Sequence, residues 1–366
     1  MSVDLRVLNE PGDPGGLPDE SLPDESASHA SVIAETDAPQ VGYPIVDPAG
    51  RRMAGLVAPP EALPQVLPTD RLNPQGKAKP PLRDELRRIH NVRNALNVAS
   101  AWGQTLLVIG VACWIDRWFV WPVAFLLMGR AFAQFAILGH EAAHRLLFSK
   151  KQVNDFVGKV FVSYPAFVPF DLYRRSHFAH HKEEFGPNEP DHNLYNGYPI
   201  SKASWRRKLW RDARGTSGWK SLKGLIYAWK HASSRPIAAK ITAAQVGVWA
   251  LLWISFGRWW LYPVLWLAPW LTVWRVINRL RAIAEHGGLT MSDDRRLTTH
   301  VVRQSWLARF WIVPYNTGWH LAHHVDMGVP FQQLPALHRE LVDAGWVTEA
   351  IEYPSYPALW RAASSG

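Results

Sequence analysis

The chain has 366 residues and a formal net charge of +9, with 48% hydrophobic and only 19% charged residues, 20 Trp and a single Cys. So much Trp and so little charge exclude a wholly disordered chain and an ordinary soluble enzyme, and the lone Cys113 excludes an intrachain disulfide framework or a thiolate metal cluster. The averages conceal two unlike parts: residues 1–80 hold 13 of the 28 Pro, no Trp, and 6 Lys+Arg against 12 Asp+Glu, so a tail of about −6 precedes a body of about +15.

Residues 1–80 carry no sustained period of either kind and too little apolar area to offset ordering entropy, which predicts a disordered, acidic, Pro-rich tail. The first ten residues include Asp4, Arg6 and Glu10 and no apolar core, so no cleavable signal is expected and the chain would enter the membrane by its own spans. The basic stretch that follows (Arg83, Arg87, Arg88, Arg93) suits a segment at cytoplasmic headgroups.

Four apolar segments come next, in two pairs. With about 20 apolar residues needed to cross a bilayer core, spans are predicted near 94–115, 118–139, 239–257 and 259–281. The turns inside the pairs, Asp116-Arg117 and Gly257-Arg258, are too short to hold anything, so each pair is a helical hairpin with both outer ends on one face. Lys and Arg crowd those ends (Arg145, Lys150, Lys151, Arg174, Arg175, Arg206, Arg207, Lys208), which marks them as cytoplasmic. Residues 156–170 form a weaker apolar run with Lys159, Pro165 and Pro169, expected to be re-entrant or interfacial. Trp259, Trp266, Trp270 and Trp274 read mainly as interface belt and bundle packing. The expected architecture is an all-α membrane protein: two transmembrane hairpins in a membrane domain over 81–345, a cytoplasmic helical cap bearing a His-rich two-metal site, and a C-terminal extension over 346–366.

Nine of the 15 His fall into four tight groups: His140 and His144; His177, His180 and His181; His286; and His320, His323 and His324. Spacings of three and four residues stack side chains about 5–6 Å apart on one helix face, the arrangement for converging on a metal. A helix from 118 to 144 is about 40 Å long, so it overshoots a core of about 30 Å and delivers His140 and His144 just past the cytoplasmic boundary; 259–286 does the same for His286. Imidazole without thiolate suits Fe, Cu, Zn or Ni, and nine rings exceed what one ion takes, so two ions are implied.

The series His-Glu-Ala-Ala-His (140–144), His-Phe-Ala-His-His (177–181) and His-Leu-Ala-His-His (320–324), with the ending Val329-Pro330-Phe331 and Leu334-Pro335-Ala336-Leu337-His338, resembles the membrane fatty acid desaturase and hydroxylase superfamily over about residues 90–340. The resemblance implies two non-haem iron ions held by the nine His, O2 as co-substrate, electrons from an external ferredoxin or cytochrome b5 type donor with its reductase, and removal of hydrogen from an acyl C–H bond, with His286 as the ligand that follows the fourth span. Desaturation of a lipid-linked acyl chain is the leading expectation; hydroxylase, ketolase and alkene-forming decarboxylase are superfamily alternatives. Ala282 stands where acyl-CoA-type members carry Asn, which favours an acyl-lipid substrate.

His140-Glu141-Ala142-Ala143-His144 is also the zinc-protease HExxH pattern, with Glu141 as general base, but that reading leaves seven clustered His idle. A metal transporter would place its ligands nearer the bilayer midplane. In the desaturase reading Glu141, and similarly Glu285 and Asp171, would accept an imidazole N–H and fix its tautomer. Arg130, Arg275 and Arg279 lie on the faces of their helices that lead to the His groups, and either snorkel or line a substrate cavity. His192 is the stray His nearest to such a supporting role, and His338 is expected to cap or pack. The basic face at Arg174, Arg175, Arg206 and Arg207 would dock an acidic electron carrier. No nucleic-acid partner is expected, and the active site would face the cytoplasm from a bacterial inner membrane.

Overall fold

The computed structural model describes residues 55–186 and 189–366. Three helices are long and apolar enough to cross a membrane: Leu82–Ile115, Val120–Ala143 and Arg235–Phe256. We label the regular parts of these α1 (Asn91–Ile115), α2 (Val120–Ala143) and α3 (Arg235–Phe256). The first pair turns through Asp116, left-handed at φ 44°, and α3 ends at Gly257, φ 69°, where glycine meets no steric cost. The two turns touch: the Arg258 guanidinium lies 2.7 Å from the Asp116 carboxylate.

The fourth apolar stretch differs from the single helix expected over 259–281. A π-helical turn (Tyr262–Leu267) leads into a short helix (Ala268–Leu271), the backbone breaks at Thr272, and only then does α4 (Val273–His286) begin. Pro263 and Pro269 each remove an N–H from the ladder, which accounts for the interruption. Helix α4 still packs closely on α2: a Cβ added at Gly129 would lie 2.2 Å from Val273 Cγ1. Trp266 is fully buried between Phe132, Phe135 and Trp102, whereas Trp114, Trp118 and Trp259, near the hairpin turns, are exposed.

The remainder builds the cap. Residues 151–163 run as a helix and a π turn that present Phe156, Val160 and Phe161 outward. Helix α5 (Phe170–Lys182) carries the second His group, α6 (Lys202–Ala213) buttresses α4, and α7 (His320–Val325) carries the third group. Two segments expected to stand apart are integral. Of the disordered tail expected over residues 1–80, 1–54 lie outside the described residues, and 55–80 instead strap across the protein with Leu72 fully buried, Leu56 against Gly288, and Arg71 paired to Glu340 at 2.7 Å. The C-terminal extension pairs Val301–Val302 with Glu352–Tyr353 in a two-stranded parallel sheet, and its final helix (Tyr356–Ala363) hydrogen-bonds the Leu280 carbonyl of α4 through Trp360 Nε1, 3.0 Å.

Candidate metal centre

His140 sits in the last turn of α2 and His144 caps it, so an i, i+4 pair projects from the buried end of an apolar helix. His177 and His181 take the same relation on α5, with His180 beside them. His320, His323 and His324 occupy the short α7, and His286 is the last residue of α4. All nine rings are buried, and the fold gathers them.

They divide into two sets. The ligating atoms of His140, His144, His177, His181 and His323 lie within 4.8 Å of one another, as do those of His180, His286 and His324. His320 joins the second set, its Nε2 3.0 Å from Nε2 of both His286 and His324. In the first set the Nε2 atoms of His144 and His177 approach to 2.8 Å, His177 and His181 to 3.1 Å, and His181 and His323 to 3.1 Å. His181 stacks on His324 at the seam between the sets, ring centroids 4.3 Å apart.

Ring nitrogens about 3 Å apart form the edge of a coordination polyhedron whose metal–nitrogen bonds are about 2.1 Å. Neither ring nitrogen of buried His140 has a hydrogen-bond partner, a costly state that a cation relieves. Burial and neighbouring imidazoles hold His177, His181, His286, His320, His323 and His324 well below the ordinary imidazole range and bring His144 down to about 3, so these rings present neutral lone pairs. The donor set fits two metal ions.

Hydrogen bonds behind the second set orient its rings. Nδ1 of His180 meets both Glu189 oxygens at 2.9 and 3.0 Å, Nδ1 of His324 meets Glu184 at 2.5 Å, and Nδ1 of His286 meets the Thr298 carbonyl at 2.8 Å. Nδ1 of His320 lies 3.6 Å from Glu285, which pairs in turn with Arg281 at 2.9 Å. Burial lowers His180, but the bond to Glu189 together with the charges of Glu189, Asp191 and Glu184 outweighs it and leaves the ring raised. Burial pushes the Glu184 and Glu285 carboxyls up, and Arg295 and Arg281 beside them pull against it.

Of the carboxylates expected to do this, only Glu285 lies near a ring nitrogen, 3.6 Å from His320 Nδ1 and beyond hydrogen-bond reach. Glu141 accepts the Phe331 backbone N–H at 3.1 Å, and exposed Asp171 pairs with Lys159 at 2.8 Å. Glu184, Glu189 and Arg281 escaped the sequence reading because they follow no period with the His they serve. His192 touches the Phe185 and Tyr195 rings, and His338 packs near Trp319.

The arginines separate as well. Arg130 donates to the Phe310 carbonyl and to Gln104, both at 2.9 Å. Arg279 is paired with buried Asp212 of α6. Buried Arg275 lies over the Trp270 ring, 4.1 Å from its centroid, with two guanidinium nitrogens unpartnered. Arg174 is drawn into Asp155 and the carbonyls of Ala142 and Ala143, which removes it from the expected docking face; Arg175, Arg206 and Arg207 are exposed.

Three apolar membrane-length helices, one of which ends in a buried cage of nine imidazoles, define a membrane protein with an all-histidine candidate metal centre. A fatty acid desaturase profile matches residues 116–355, and the chain belongs to that family, which makes it an oxidoreductase. It is 25% identical over 288 residues to dihydrorhizobitoxine desaturase of Bradyrhizobium elkanii, covering 73% of this chain and 80% of the relative. It is 24% identical to the sn-1 oleoyl-lipid 12-desaturase of Anabaena variabilis (69% and 79% covered) and 21% identical to the sn-1 acyl-lipid omega-3 desaturase (ferredoxin) of a Nostoc species (71% and 79%).

Proposed function

We propose that this protein is a four-span membrane desaturase that holds two iron ions and introduces a double bond into the acyl chain of a membrane lipid. The division of nine imidazoles into two sets carries the reading. Bound iron would supply the chemistry of O2 reduction: O2 takes four electrons, two with the two hydrogens of a CH2–CH2 unit and two from an external donor together with two protons from solvent, leaving an alkene and two waters.

The chain's own groups prepare the site. Glu184, Glu189 and the Thr298 carbonyl fix three ring tautomers with Nε2 inward, those of His324, His180 and His286. The buried ends of α2 and α4 exclude water from the centre. The Arg258–Asp116 contact joins the two hairpin turns, which supports a fourth crossing by the interrupted helix with the four outer ends on one side. The Lys and Arg excess at those ends supports the cytoplasm as that side.

An open apolar groove of about 1080 Å³ between α1, α3 and the 156–165 segment supports a lipid substrate. Its walls run from Ala95 to Leu106 and from Lys240 to Leu251, each about 16 Å of helix from the basic ends, or half a bilayer core. Ferredoxin in the name of one relative supports a ferredoxin donor. The relatives' names differ in substrate, so lipid class rests on the groove and on Ala282.

Lipid mass spectrometry of a host expressing the chain, against His180→Ala, tests this. Acyl chains lighter by two hydrogens in the wild type alone are expected. Chains heavier by one oxygen would assign hydroxylation instead, and a purified active protein without iron would overturn the reading.

A further inference from the structure

The two metal sets are backed very differently. In the set of His180, His286, His320 and His324, every ring has an oxygen at or near its Nδ1, and three of the four oxygens belong to buried carboxyls, Glu189, Glu184 and Glu285. Among the described residues, no carboxylate or carbonyl is hydrogen-bonded to a ring nitrogen of His140, His144, His177, His181 or His323; the close nitrogen contacts there are with other imidazoles. Glu141, the carboxylate nearest that set in the chain, is turned to the Phe331 N–H.

A carboxylate that accepts the distal N–H makes an imidazole more basic and locks its aim, and losing such a partner typically costs about 10–100-fold in metal affinity. The charges point the same way. Glu184 and Glu285 are partly offset by Arg295 and Arg281, but Glu189 has no cationic side chain among its described partners apart from the His180 ring itself, so a divalent ion in this set meets a net negative surround. The other set has five rings against four, which by ligand number alone would bind more tightly, yet no carboxylate hydrogen-bonds any of its rings; Glu184, within 4.8 Å of the His181 ligating nitrogen, is committed to His324 and Arg295.

We infer that the two metal positions are inequivalent: the set built from His180, His286, His320 and His324 fills first and retains its ion, whereas the set built from His140, His144, His177, His181 and His323 is the exchangeable one. Glu189 and Glu184 are the positioning residues that create the difference. The inference rests on the proposed two-iron reading.

The test is loading of the full-length protein in detergent with ferrous iron under anaerobic conditions, followed by dialysis against graded chelator, with iron per chain and Mössbauer spectra as readouts. The wild type is expected to release iron in two steps at least tenfold apart in chelator, with one spectral component lost first. Glu189→Gln and Glu184→Gln each weaken the late step by about 10–100-fold and leave the early one in place. His323→Ala removes the early step alone, and Asp171→Asn, at an exposed acid on the same helix as His180, changes neither. Size exclusion confirms that each variant is folded before loading. Release of both ions in one step from the wild type, or equal weakening of both by Glu189→Gln, would overturn the inference. A wild type that binds fewer than two irons per chain would instead overturn the two-iron reading beneath it.

Discussion

The carboxylate of Glu141, flanked in sequence by His140 and His144, accepts its hydrogen bond from the backbone N–H of Phe331, seven residues beyond the last His of the third group. Both partners are buried, so the contact ties the end of α2 to the segment that follows α7 and fixes the first and third His groups relative to each other. It also removes the group that an HExxH protease needs free as a base. Glu141→Gln keeps a carbonyl acceptor and should retain iron and most of its activity. Glu141→Ala strands a buried N–H at a cost of about 1–3 kcal/mol, read as a lower melting temperature and reduced iron content. An inactive but fully iron-loaded Glu141→Gln would contradict this assignment.

Arg279, expected to snorkel or to line a cavity, is committed to Asp212 of α6, and both side chains are buried. Removing one member of such a pair leaves an uncompensated charge and costs about 3–5 kcal/mol, while replacing both by apolar residues of similar volume is often neutral. Arg279→Met alone should therefore cut the yield of folded protein sharply, and Arg279→Met with Asp212→Leu should restore much of it. Normal stability with a raised KM in the single variant would return Arg279 to the substrate.

Arg130 lies within a membrane-length helix, where a charge needs a partner. Its guanidinium spans Gln104 of α1 and the Phe310 carbonyl, with Phe310 beneath it at 4.3 Å. It thus pins the short helix Trp306–Trp311, whose Trp306 and Leu307 are exposed, to the hairpin. Arg130→Leu should lower the melting temperature in detergent and expose the chain near Arg303 and Arg309 to limited trypsin, without altering iron content. Unchanged proteolysis would show that the pin is not needed.

The gathering of nine His was legible because helical spacing and repetition are written directly in the chain: His140 and His144, or His320 and His324, must share a face once a helix forms. Three spans were legible for the same reason. The fourth was misjudged in form, since hydropathy is blind to the interruption at Pro263, Pro269 and Thr272. The strap over residues 55–80 was invisible because Leu56, Leu63, Leu72 and Ala78 bury at irregular intervals that match neither a helical nor a strand period. The same holds for Glu184 and Glu189: what places them behind His324 and His180 is a loop conformation, and no period announces it.

His300 was one of the scattered histidines, and the structure buries it with Nε2 2.8 Å from the Gly287 carbonyl, one residue past His286. Burial brings its pKa down to about 4, and the bond to Gly287 only partly opposes that. An unfolded imidazole titrates near 6.5, so between about 6.5 and 4 the unfolded chain binds the extra proton. Stability at His300 is therefore full above pH 6.5, falls as the pH is lowered through this window, and changes no further below about 4, a total of about 3 kcal/mol. His300→Gln keeps an N–H for the carbonyl without titrating. In iron-loaded protein, whose ligand imidazoles are held by metal, melting temperatures measured between pH 7 and pH 5 should fall less steeply for His300→Gln than for the wild type. Parallel curves would mean that His300 keeps its proton in the folded protein or gives it up equally in both states.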